Sequence, residues 1–258
     1  MIKITSVPSC TTAAPTLFLI PGGPGLSSLT LRSLDILNRS FNLLYVDFHG
    51  TNGNPYTGKK SFVELSSKLN KEIQKVSGKK YVLGHSYGGL FAAKAFGDGV
   101  ADGLICVATP FSKNTLSKAG DNYRAHMTDA LAKAETQWSE SQDDKSFASW
   151  LSEYGGLYFK NPEGKALLLN DKVSAQFFLD NRSDAQSLES LLASLAQKKG
   201  KKIFISGGDD RLLLSENLKM DSDLGGFEFF KVQNASHFVT FDQPEKVAGL
   251  IEDLVMRS

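Results

Sequence analysis

Tyr81-Val82-Leu83-Gly84-His85-Ser86-Tyr87-Gly88-Gly89-Leu90-Phe91-Ala92-Ala93 reads as a short apolar run, a serine framed by glycines, and a second apolar run rich in alanine. The first run has the length of a buried strand and the second has helical character. The order is therefore strand, sharp turn, helix, with Ser86 on the turn. Glycine two residues before and two residues after the serine lets such a turn close without a Cβ collision. A hydroxyl on that turn is lifted off the sheet edge. The N-terminus of the following helix offers backbone N–H groups and a positive dipole end beside it. A serine that only capped a helix would not need glycine on both sides.

Outward from this turn the chain alternates apolar runs with helical stretches. Strands are predicted at Thr16–Ile20, Leu43–Phe48, Lys80–Leu83, Gly103–Ala108, Lys202–Ser206 and Phe227–Val232, with Ile2–Val7 as an added edge strand. Several are nearly unbroken in apolar character, as expected for parallel strands covered on both faces. Helix-period segments lie at Leu29–Leu37, Ser61–Val76, Tyr87–Phe96, Leu212–Leu218 and Pro244–Met256. The alternation predicts an α/β fold, a mostly parallel central sheet with helices on both faces. Residues 1–110 and 200–258 form its core. The rhythm breaks over residues 111–199, where no strand stands out and aromatics such as Trp138, Phe147, Trp150, Tyr154, Tyr158 and Phe178 collect. This stretch reads as a helical cap over the crevice at the C-terminal edge of the sheet.

Bulk composition removes several function classes. A chain of 258 residues with 41% hydrophobic and 22% charged residues suits one soluble α/β domain with an insertion. A net charge of +1 gives no electrostatic case for a nucleic-acid partner or an anionic membrane. No run approaches the roughly 20 apolar residues of a membrane span, and the first residues do not read as a secretory signal, so a cytoplasmic location is expected. Asn-x-Ser triplets at Asn38, Asn181 and Asn234 would matter only outside the cytoplasm. Cys10 and Cys106 cannot make a disulfide framework and read as buried structural thiols.

A serine on such a turn needs a base to take its proton. Of the four histidines, His49, His85, His126 and His237, only His237 follows the last strand and precedes the last helix, at the edge where Ser86 is expected. The base needs a carboxylate on its other nitrogen. Ile203–Ser206 runs into Gly207-Gly208-Asp209-Asp210, and either aspartate could serve; Asp210 is preferred and Asp209 is the alternative. Acyl transfer also needs two N–H donors for an oxyanion. Pro21-Gly22-Gly23-Pro24-Gly25 follows the Thr16–Ile20 strand, and the Gly23 N–H is the candidate partner for that of Tyr87. Gly53–Lys60 nearly spells a phosphate-binding loop, but Lys60 stands where Ser or Thr would bind Mg²⁺ and Pro55 lacks an N–H. No metal or organic cofactor is called for.

On these residues the chain resembles the α/β-hydrolases, and within them the capped, proline iminopeptidase-like branch. The resemblance runs in order through Pro21–Gly25, Val46–Asn54, Gly84–Gly89, Gly207–Asp210 and Asn234–His237. It implies Ser86 as nucleophile, Asp210 as acid, His237 as base, and Gly23 with Tyr87 as oxyanion hole. The branch carries His-Gly-Gly-Pro-Gly where this chain has Pro21 in place of the histidine. It also carries Asp-x-Arg-Gly-x-Gly-x-Ser where Asp47–Asn54 keeps the aspartate and first glycine but not the arginine or serine. The aminopeptidases hold the substrate amine with cap carboxylates. Glu135, Glu140, Glu153 and Glu163 lie in that region, with no motif to choose among them. The expected activity is hydrolysis of a small ester, amide or aminoacyl substrate through an acyl-enzyme. The alternative is a non-catalytic protein binding a small ligand on the same fold.

Overall fold

The computed structural model describes residues 1–182 and 189–256. Its seven strands are β1 (Lys3–Val7), β2 (Thr16–Ile20), β3 (Asn42–Asp47), β4 (Lys80–His85), β5 (Gly103–Val107), β6 (Lys201–Gly207) and β7 (Glu228–Val232). They form one sheet in the order β1-β3-β2-β4-β5-β6-β7. β1 runs antiparallel to β3 and the other pairs are parallel. The expected α/β architecture is present, and the Ser86 turn sits on β4, at the centre of the sheet.

The apolar runs look continuous, yet the pleat divides each between two cores. Phe18, Ile20, Val46, Val82, Leu104 and Phe204 face one layer, with α1 (Phe62–Gln74), α2 (Tyr87–Gly97) and α9 (Ser215–Gly225). Leu17, Leu19, Leu43, Leu83, Ile105 and Ile205 face the other, under the 3₁₀ turns of Ser28–Arg39 and α11 (Pro244–Met256). α1 starts at a capping box, in which Ser61 and Glu64 satisfy each other's backbone N–H groups. The sequence placed a helix at Leu212–Leu218, but α9 begins at Ser215. The preceding turn is taken up because the Asp210 carboxylate accepts the N–H groups of Leu212 and Leu213, at 2.9 and 2.8 Å.

Between β5 and β6 lie α3 (Lys113–Ala125), α4 (Asp129–Ser141), α5 (Asp144–Ser152), α6 (Gly164–Leu169), α7 (Ala175–Asn181) and α8 (Glu189–Gln197). No strand occurs there among the described residues. Trp138, Phe147, Trp150, Phe159 and Leu168 build an apolar cluster that also takes in Phe238. Leu192 and Leu195 of α8 pack instead with Phe96 and Phe204 against the sheet. Cys106 is buried as expected, but Cys10 is exposed. Its N–H is tied to the Asn38 carbonyl in a polar turn after β1, so the apolar strand nearby does not carry it inward. No helix among the described residues is long and apolar enough to cross a membrane.

Asp171, in the α6–α7 connection, ties this region to the core. Its carboxylate accepts the Ser27 N–H at 3.0 Å and the Ser27 hydroxyl. Burial pushes its pKa up to about 6, against the opposing pull of the Ser27 bonds. A carboxyl raised in the folded state lends its full stability below the unfolded value near 4, and loses it as pH rises through about 6. At two pKa units and about 1.4 kcal/mol each, the loss is up to about 3 kcal/mol. Asp171→Asn should flatten the fall in unfolding free energy between pH 4 and pH 6. Urea titrations across that window would count against this assignment if wild type and variant showed equal slopes.

Candidate active site

Ser86 follows the last residue of β4 and precedes the first of α2. Its backbone holds φ 50° and ψ −122°, a region that side-chain-bearing residues seldom occupy. The surroundings hold it there. The Ser86 N–H donates to the Val107 carbonyl at 2.7 Å, and its carbonyl accepts from the Gly89 N–H at 3.0 Å. A Cβ on Gly84 would collide with the Gly88 carbonyl. One on Gly88 would collide with the carbonyls of Ile20 and Pro21, and one on Gly89 with the Thr109 side chain. The glycines therefore set how closely α2 approaches β2 and β5. Because rigid backbone leaves Gly88→Ala nowhere to relax, we expect it to cost about 2–4 kcal/mol. Chemical denaturation would test this, and a loss below 1 kcal/mol would show that the helix can move aside.

His237 lies in the loop between β7 and α10 (Val239–Asp242). Its Nδ1 is 3.0 Å from Asp210 Oδ2, and both residues are only 3% exposed. The turn carrying Asp210 is stitched to the histidine loop. Gly208 N–H donates to the Val232 carbonyl at 2.7 Å and Asp209 N–H to the Ala235 carbonyl at 2.9 Å. A Cβ on Gly207 would collide with the Ser236 carbonyl. Asp210 Oδ1 is already occupied by the amides of Leu212 and Leu213. Its remaining oxygen is therefore aimed at the imidazole and calls for a proton on Nδ1, the tautomer in which a neutral ring offers Nε2 as an acceptor. Asp209 points elsewhere and pairs with Lys160 Nζ at 3.1 Å.

Of the sequence-predicted residues, His237 and Asp210 are thus in direct contact. Ser86, Gly23 and Tyr87 border one cavity of about 280 Å³ with Pro24, Leu90, Pro110, Leu116, Phe178 and Arg182. Gly23 holds φ 113°, which favours glycine. Among the described residues no hydrogen bond joins the Ser86 hydroxyl to His237.

Three further residues emerge only from the structure. His85 is fully buried, with its ring 4.9 Å from that of His237 and its Nε2 3.1 Å from the His237 carbonyl. That contact fixes the proton on Nε2. Burial lowers its pKa to about 3, so it stays neutral. Tyr158 comes from the inserted region and stacks on His237 at 5.1 Å. Its hydroxyl is pushed up in pKa by burial and by Asp210. No sequence signal marked it, since its partner lies far along the chain. Arg182 closes α7 at the cavity mouth. The other histidines stand apart. His49 is buried and held neutral, its pKa lowered to about 4 mainly by burial, and His126 caps α3 at the surface. A wider opening of about 700 Å³, lined by Gly50, Asp144, Lys145, Asp171 and Lys172, does not include Ser86. Among the described residues no group of His, Cys, Asp and Glu could hold a metal ion.

A family model described as "Alpha/beta hydrolase family" matches residues 17–250. No curated protein sequence matches the chain. Among solved structures, VinJ superposes with a TM-score of 0.77 at 17% identity, covering 99% of this chain and 95% of that one. An esterase from Exiguobacterium antarcticum gives 0.73 at 17% identity, covering 98% and 95%. A proline iminopeptidase-related protein from Thermus thermophilus gives 0.72 at 18% identity, covering 99% and 93%. At these identities the likeness is one of fold.

Proposed function

Because the chain belongs to the alpha/beta hydrolase family, we propose that it is a serine hydrolase of a small ester or amide, acting through an acyl-enzyme. The observation that carries this reading is the buried Asp210–His237 contact at 3.0 Å, at the sheet edge where Ser86 occupies its strained turn. In this mechanism His237 Nε2 takes the Ser86 proton as Oγ attacks the carbonyl carbon. Asp210 holds the tautomer and offsets the imidazolium charge. The N–H groups of Gly23 and Tyr87 receive the oxyanion, each worth about 10²–10³ in rate. The imidazolium then protonates the leaving group, and water, deprotonated by His237, releases the acyl product. Within the stretch 111–199, the part that acts as the cap over this site is 111–182, while α8 belongs with the sheet, and no cofactor takes part.

An aminoacyl substrate would need a carboxylate near the nucleophile to hold its amine. Glu135 accepts from the Tyr123 hydroxyl at 3.1 Å and Glu153 pairs with Lys165. Neither these nor Glu140 and Glu163 border the Ser86 cavity. An ester is therefore the better reading than an iminopeptidase substrate. A fluorophosphonate probe tests the proposal: peptide mapping should find it on Ser86. An intact fold that stays unlabelled would favour the non-catalytic ligand-binding alternative.

A further inference from the structure

The cavity in front of Ser86 has one charged wall residue among the described ones, and it is a cation. Pro24, Leu90, Pro110, Leu116 and Phe178 supply apolar surface, and Arg182 stands at the mouth. Arg182 is tied to the rest of the site through α7. Its N–H donates to the Phe178 carbonyl at 2.9 Å, and its guanidinium lies 6.0 Å above the Phe178 ring. At the other end of α7, the Ser174 N–H donates to the Gly25 carbonyl at 2.8 Å and the Ala175 N–H to Asp144 at 2.7 Å. The helix that presents Arg182 is thus hydrogen-bonded to the same loop that carries Gly23. No described carboxylate pairs with Arg182, although the surface offers many such pairs elsewhere, such as Arg39 with Glu252 at 2.7 Å.

From this we infer that Arg182 is a specificity residue for an acyl group ending in a carboxylate, so that the substrate is a short monoester of a dicarboxylic acid or the corresponding thioester. The inference rests on the serine-hydrolase reading above and adds the charge of the substrate. The apolar walls would take the methylene chain, and the planar guanidinium would take the carboxylate through paired N–H donors. A volume of about 280 Å³ suits a small acyl chain rather than a long lipid tail. Among the described residues the wall holds no acid to receive a substrate ammonium, so these walls disfavour a cationic acyl group.

Two esters of equal reach separate the charge effect from the serine chemistry: p-nitrophenyl hexanoate and the p-nitrophenyl monoester of adipic acid. Hydrolysis of the hexanoate, abolished by Ser86→Ala, reports the hydrolase itself. The ratio of kcat/KM values, adipate over hexanoate, reports Arg182. Wild type should favour the adipate monoester, and Arg182→Gln should lower that ratio about 10- to 100-fold, chiefly through KM. Arg182→Lys should recover part of it, and raised salt should shrink the wild-type preference. A hydrolase whose ratio is unmoved by Arg182→Gln, or which prefers the hexanoate from the outset, would overturn the inference and leave the serine mechanism standing. An adipate preference that persists in Arg182→Gln but falls when a surface lysine is replaced would overturn it too.

Discussion

Ser86→Ala should lower the turnover of an activated ester about 10⁴- to 10⁶-fold while leaving the protein folded. Alanine keeps the Cβ that the turn already accommodates at φ 50° and removes only an oxygen. That oxygen forms no capping bond in α2, so the helix loses no partner with it. In the proposed mechanism what goes is the covalent route, while the Gly23 and Tyr87 N–H groups and the cavity remain to supply a residual rate. Nucleophile and base act as one unit, so removing both should cost no more than removing one. The double variant Ser86→Ala/His237→Ala should therefore be about as slow as either single variant. Stopped assays with p-nitrophenyl hexanoate, with thermal midpoints measured on the same samples, check this. A folded Ser86→Ala protein retaining more than about a hundredth of the activity would remove Ser86 from the mechanism.

Asp210→Asn should cost about 10⁴-fold, and the geometry supplies a reason particular to this site. One carboxylate oxygen of Asp210 accepts two turn amides and the other meets His237 Nδ1. An asparagine whose oxygen stays with the turn must turn its NH₂ toward the imidazole. The ring would then be driven to carry its proton on Nε2, where it cannot accept from a serine. If the asparagine flips, the two amides lose their acceptor and the turn is destabilised. Asp209→Asn breaks only the partly exposed contact to Lys160, an interaction of about 0–1 kcal/mol. Activity there should stay within about threefold. A reversal of the two results would move the acid role to Asp209.

The strands of the sheet were legible in the sequence almost to the residue, because apolar runs between glycine-marked turns leave little choice. Thr16–Ile20 and Pro244–Met256 have the same bounds in sequence and structure. The start of α9 was not legible, since it depends on a carboxylate that serves a turn and an imidazole at once. Asp209 and Asp210 are adjacent and chemically alike, so only the three-dimensional course of the turn distinguishes them. Ser86 and His237 could be put forward as candidates from local chemistry and chain order, and the conformation of the turn at Ser86 and the Asp210 contact of His237 became visible only in three dimensions. The rings that enclose His237 could not be put forward in this way. Tyr158 arrives from a region with no strand among its described residues to fix its register, and His85, though next to Ser86, gives no local sign that its ring faces the other imidazole. The charge at the cavity mouth was invisible for the same reason.

The contacts between the insertion and the imidazole loop bear on how this scaffold can be re-engineered. The Phe238 N–H donates to the Tyr158 carbonyl at 2.8 Å, and the Ser236 hydroxyl donates to that of Leu157 at 3.1 Å. Asp242 gathers the N–H groups of Lys160, Asn161 and Ser236, each at 2.8–2.9 Å at its nearest. A chimera that exchanged the whole stretch 111–199 for a relative's would cut every one of these ties and strip the stacked phenol from the base. Transplants meant to retune selectivity should therefore leave Leu157–Asn161 with the host, and with it Asp171 and Ser174, whose bonds to Ser27 and Gly25 tie the insertion to the core a second time.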